Sequence, residues 1–201
     1  ETAFVETAEA EGATVDTVYP EAATADAQIK VLDNLISQQP DAICISATDV
    51  NALQAKLEEA MDAGIKVSSF DSAPNKDSRQ VFVNQAGTKE VAQALMDAVL
   101  DISGGEGQFA ILSATSQSAN QNAWIDAMKS IMEGDEKYSK LELVEVAYGD
   151  DEPQKSTDQT AALLQNYPDL KVICAPTTVG IAAAAKYLQD NGSASVSYTH
   201  L

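Results

Sequence analysis

Histidine is almost missing from this chain: the only one among 201 residues is His200, in the last two positions. A His-based catalytic triad and a zinc site built on histidine are therefore excluded. The two cysteines, Cys44 and Cys174, form no CxxC and no Cys/His cluster. Each sits in an apolar run, DAICIS and KVICAP, and reads as a small buried hydrophobe. Basic residues are scarce too, 12 Lys and Arg against 31 Asp and Glu, a formal charge of −19. Such a surface repels a phosphate backbone or an anionic membrane, so no nucleic-acid partner is expected. No apolar run reaches the length of a membrane span, so no membrane insertion is expected either. Glu1-Thr2-Ala3-Phe4 has neither the basic start of a signal peptide nor an initiator methionine, and the chain reads as a fragment.

What is present is a globular composition, 45% hydrophobic, enough for a sizeable core in one or two domains. Apolar runs of strand length alternate with stretches of helical period. The period predicts helix to Glu11, a short strand of Val15, Val18 and Tyr19 ended by Pro20, and a helix from Thr24 carrying Ile29, Leu32, Leu35 and Ile36. Strand Ala42–Ser46 follows, then a helix capped by Thr48 or Asp49, strand Ile65–Phe70, and strand Val81–Val83. After Asn84 the alternation restarts: helix from Thr88, strand Phe109–Leu112 with Gln108 leading in, helix from Asn120, strand Leu141–Tyr148, helix Ser156–Tyr167, strand Leu170–Ala175 and helix Val179–Gln189. Such alternation means βαβ units and parallel sheets, with a break near Asn84 that divides residues 1–84 from 85–192 as two lobes. SASVSYTHL, residues 193–201, has almost nothing to bury where a strand is due, and reads as a foreign tail.

In open parallel sheets, ligands bind where loops leave the carboxyl ends of strands. Those loops here are Ser46–Asp49, Asp71-Ser72, Ser113–Gln121 and Pro176–Thr178. They carry one firm charge, Asp71, among amides and hydroxyls. That set lacks a convincing nucleophile with its base, an acid/base pair or a metal cluster, but it suits a neutral polyol. Each residue also has a plainer reading. Asp71 could make only an Asx turn, Asn120 could only cap its helix, Trp124 fits the core better than a sugar face, and Ser46 and Asp49 are expected to cap the next helix. Gly104-Gly105-Glu106-Gly107 precedes a strand and so lacks the helix N-terminus that a phosphate loop requires.

The stretches AILSATSQSANQNAWIDAMK, YGDDEPQKS and VICAPTTVGIAAA, with DAICISATD and VSSFDS, resemble the type I periplasmic sugar-binding proteins of ABC importers. The similarity is strongest to the rhamnose-binding branch, then to the autoinducer-2 receptors. It implies two Rossmann-like lobes joined by a hinge, here without the family's first strand and its last third. It further implies a sugar held in the cleft by Asp71, Asn120, Gln121, Pro176 and Thr178, no cofactor, no catalysis, a permease partner, a monomer, and a periplasmic or lipid-anchored setting. Autoinducer-2 receptors generally have Asp-Gln-Asn where this chain has Asn120-Gln121-Asn122, and a small residue in place of Thr178, which favours a sugar. The two-lobe core of a ligand-sensing repressor is an alternative that requires a basic helix-turn-helix ahead of Glu1. A nucleotide-dependent enzyme requires a glycine-rich strand-to-helix turn, which this sequence does not show.

Overall fold

The computed structural model describes residues 2–192 and 196–199. Seven α-helices and seven strands are seen among them, and every strand pairing is parallel. The first sheet has the order β1-β2-β3, from β1 (Ala42–Ile45), β2 (Lys66–Phe70) and β3 (Val81–Val83). The second has the order β5-β4-β6-β7, from β4 (Gly107–Ser113), β5 (Leu141–Tyr148), β6 (Leu170–Cys174) and β7 (Ser197–Thr199). With all strands parallel, each sheet presents its ligand-competent loops along one edge.

Local chemistry explains the elements. Helix α1 spans Thr2–Ala10, and α2 (Ala25–Gln38) starts where the Thr24 side chain accepts a hydrogen bond from the Ala27 N–H. It stops at Gln39, in left-handed backbone ahead of Pro40. Its apolar stripe packs Leu32 into a core with Ile43, Leu53, Leu57 and Val67. Helix α3 covers Gln54–Asp62 and α4 covers Thr88–Ser103. The second sheet is buried on both faces. Phe109 and Ile111 pack with Leu95, Met96 and Met128 on one side, while Ala110 and Leu112 pack with Leu163, Ile173 and Ala184 on the other. The helices on these faces are α4, α5 (Ala119–Gly134), α6 (Pro153–Asn166) and α7 (Thr178–Asp190). A run of five buried residues, Phe109 to Ser113, follows from having helices on both sides.

Several expectations need correction. Residues 13–20 join neither sheet, although Val15, Val18 and Tyr19 read as a strand. A strand is defined by a hydrogen-bonded neighbour, and β1 at that sheet's margin pairs only with β2 among the described residues. Cys44 is half-buried rather than buried, whereas burial pushes the Cys174 thiol up to about 12. Ser197–Thr199, within the stretch read as a tail, pairs in parallel with Val172–Cys174. Edge pairing uses backbone groups, so it asks little of side-chain hydrophobicity. Positions 193–195 and His200-Leu201 lie outside the described residues.

Tyr138, fully buried, secures a 3-10 turn (Glu136–Tyr138) to α4. Its hydroxyl donates to Asp97 at 2.6 Å and accepts from the Gln93 amide at 2.6 Å, and the Lys137 ammonium reaches the same carboxylate at 3.0 Å. The Tyr138 hydroxyl, then Lys137, hold the Asp97 carboxyl down at about 2. A carboxyl depressed on folding stabilises fully above its ordinary value of 3.8, and that stabilisation fades as pH falls toward 2. Tyr138→Phe is expected to raise the Asp97 titration midpoint, read by carboxyl NMR, and to lower the melting temperature at pH 7. The difference in melting temperature is expected to narrow toward pH 2.

Candidate functional site

Asp71 follows β2 directly and adopts left-handed backbone, φ 57°. Its carboxylate is held from three directions. Ser46, just after β1, donates its hydroxyl to Oδ2 at 2.9 Å. The Gln85 amide, after β3, donates to Oδ1 at 3.0 Å. The Asn120 amide, from α5 in the second sheet's half, donates to Oδ1 at 3.2 Å and to the Asp71 carbonyl at 3.3 Å. The donors to this carboxylate come from 14, 25 and 49 residues away. The hydrogen bonds at Asp71 are therefore tertiary rather than those of an Asx turn.

The loop carrying Ser46 has its own support. Gln28 of α2 donates its amide to the Ser46 carbonyl at 2.8 Å, and its side-chain oxygen accepts from both the N–H and the hydroxyl of Thr48 at 2.9 Å. Ser46 does not cap α3, because its hydroxyl is turned to Asp71. Nor does Asp49: its carboxylate accepts from the N–H groups of Asn51 and Ala52, building a turn ahead of the helix. Helix α3 starts at Gln54 with Leu53 as its N-cap.

On the opposite side, Ser118 is the N-cap of α5, so Asn120 and Gln121 occupy its second and third positions. The preceding loop braces itself. The Ser118 Oγ accepts the Thr115 N–H at 3.1 Å and pairs with the Thr115 hydroxyl at 2.8 Å, and the Asn122 amide donates to the Ser116 carbonyl at 2.9 Å. Relieved of capping, Asn120 reaches Asp71, and the Gln121 amide donates to the Pro176 carbonyl at 3.2 Å. Pro176 is buried at the end of β6, and Thr178 opens α7 with an exposed side chain. Trp124 is half-buried against the core that contains Ile125 and Met128.

Asp71, Asn120, Gln121 and Pro176 thus form one line between the two sheets' loop edges, two hydrogen-bonded pairs joined through the adjacent Asn120 and Gln121 of α5, with Thr178 two residues beyond it. Gln28 and Gln85, which the sequence reading did not single out, belong to the support of this line. No short-range pattern marks them, since their partners lie 14 to 20 residues away. Among the described residues no group of three His, Cys, Asp or Glu could hold a metal ion. No helix among them is long and apolar enough to cross a membrane. One carboxylate with amides and hydroxyls offers both donors and acceptors to a small hydroxylated molecule.

Comparison with known proteins agrees with this architecture. An ABC transporter solute-binding protein from Clostridium phytofermentas, solved with bound L-rhamnose, is 58% identical, with a TM-score of 0.94, over 97% of this chain and 61% of that one. A sugar ABC transporter structure from Actinomyces odontolyticus is 41% identical, with a TM-score of 0.65, over 92% of this chain and 59% of that one. LsrB from Clostridium saccharobutylicum, in complex with AI-2, shares the fold at 22% identity and a TM-score of 0.88, over 98% and 63% of the two chains. This chain spans about three fifths of the length of these solved relatives. The model of the periplasmic binding protein domain matches residues 1–199. The two parallel α/β sheets are in keeping with that match, and the chain belongs to the periplasmic binding protein domain family.

Proposed function

We propose that this chain is the larger part of a solute receptor of an ABC importer, taking L-rhamnose or a related deoxy-sugar between lobes 1–84 and 85–192. The observation that carries the reading is the bond from Asn120 to Asp71, which brings the two lobes' loop edges together at their polar groups. Asp71, Asn120, Gln121, the Pro176 carbonyl and Thr178 contact the sugar. A carboxylate and two amides, each able to serve two neighbouring hydroxyls, give selectivity because a sugar lacking a hydroxyl leaves one of them unpaired. The 58% identity to a rhamnose-bound relative supports the choice of sugar.

Binding across the cleft favours the closed form, because only that form makes both lobes' hydrogen bonds. The closed monomer then delivers its cargo to a membrane permease, from a periplasm or from a lipid anchor on the outer surface. Isothermal titration calorimetry of the full-length protein with L-rhamnose, other deoxy-sugars, ribose and autoinducer-2 tests this. Heat of binding with L-rhamnose is expected. Binding of autoinducer-2 with no response to any sugar overturns the choice.

A further inference from the structure

The turn from β5 to α6 contains two consecutive residues in left-handed backbone, Asp150 (φ 53°) and Asp151 (φ 56°). Asp tolerates that conformation better than most residues, but a pair of them persists only where surroundings enforce it. The enforcement is visible. The Gly149 N–H donates to the Ser113 carbonyl at 2.9 Å and the Asp150 N–H to the Ala114 carbonyl at 3.1 Å, carrying the β4–β5 pairing into the loops. A Cβ on Gly149 would sit 2.2 Å from the Ser156 Oγ and 3.1 Å from its Cα, so a side chain there would clash with the start of α6. Lys155 then pairs with Asp150.

Asp151 points its carboxylate elsewhere: its Oδ1 accepts the Thr177 hydroxyl. Thr177 is the N-cap of α7, where a threonine hydroxyl ordinarily accepts an N–H of the helix it starts. Here it makes no such bond. The hydroxyl is diverted to the turn after β5, on the far side of β4 in the sheet. Thr177 lies between Pro176, whose carbonyl takes the Gln121 amide, and Thr178. The β6–α7 turn is thereby held from two sides, by α5 and by the acidic turn.

We propose that Asp151 is a positioning residue for the sugar site: by taking the Thr177 hydroxyl it fixes the turn that presents Pro176 and Thr178. The proposal rests on the ligand reading given above. Asp151→Gly accepts the left-handed backbone without strain and removes only the acceptor, and Thr177→Val removes only the donor. Each is expected to weaken L-rhamnose binding about tenfold, the order of one hydrogen bond's worth of placement, and the double variant by no more than either single. Asp151→Asn and Thr177→Ser keep the bond and are expected to bind as the parent does. Single variants that bind normally, losses that multiply in the double variant, or an Asp151→Asn as weak as Asp151→Gly overturn the proposal.

A second reading needs no sugar. In amide NMR spectra, Asp151→Gly is expected to shift the backbone resonances of Thr177 and Thr178 and the side-chain amide of Gln121, whereas Asp151→Asn leaves them in place. An unmoved Gln121 amide overturns the positioning role even if no sugar binds. A parent that binds no sugar while those resonances move overturns the ligand reading alone.

Discussion

Asp71→Ala is expected to weaken L-rhamnose binding by about a hundredfold or more, with the protein still folded by circular dichroism. A hydrogen bond to a charged group contributes about 1.5–3 kcal/mol, and a carboxylate facing two sugar hydroxyls makes two of them. The total of at least about 3 kcal/mol corresponds to roughly a hundredfold in affinity. Folding survives because Asp71 is exposed and its donors Ser46, Gln85 and Asn120 are exposed or half-buried, so water replaces the lost acceptor. Some loss of stability, about 1 kcal/mol, is expected from placing alanine at φ 57°. Asp71→Asn tolerates that backbone and keeps one acceptor oxygen, so its affinity is expected between parent and alanine variant. Unchanged affinity in Asp71→Ala removes Asp71 from the site.

Asn120→Asp is expected to weaken L-rhamnose binding roughly tenfold to a hundredfold at pH 7.5 and to recover most of it at pH 5. The Asn120 amide nitrogen stands 3.2 Å from Asp71 Oδ1, so the substitution sets a second carboxylate oxygen where a donor was. Two like charges at about 4 Å cost about 4 kcal/mol near a protein surface, and the exposure of Asp71 reduces that to about half. The cost resists closure of the lobes. Repulsion between carboxylates raises the affinity of the pair for one proton, and the shared proton restores a donor between them. Acidification therefore restores binding in Asn120→Asp. Asn120→Ala, with no proton to take up, is expected to be weak at both pH values. Calorimetry across pH 5–8 separates the two, and a pH-independent Asn120→Asp overturns the account.

How much of this was legible follows from the range of each interaction. Helical period and short apolar runs located β4 and the helices around it, because those signals are local and the burial of Phe109 to Ser113 enforces them. Residues 13–20 misled for the opposite reason: alternation describes a strand's faces and says nothing of a neighbouring edge. The Ser197–Thr199 pairing escaped because the backbone of β6 accepts a polar segment as readily as an apolar one. At the site, the residue types at the strand tips pointed to Asp71, Asn120 and Gln121, the family resemblance added Pro176 and Thr178, and the structure pairs Asp71 with Asn120 and Gln121 with Pro176. Their supports stayed hidden. Whether Ser46 caps a helix or serves Asp71 depends on a partner 25 residues away, and Thr177 and Asp151 are 26 apart.

The chain holds a single tryptophan, Trp124, three residues beyond Gln121 on α5 and seated against the second lobe's core. Light absorbed at the red edge of the aromatic band is consequently re-emitted from one known point, and the lobe made by β1 to β3 stays dark. An emission change in these 201 residues would be a message from α5 and the core beneath it. A melting curve followed the same way would describe one lobe's collapse and pass over the other's in silence.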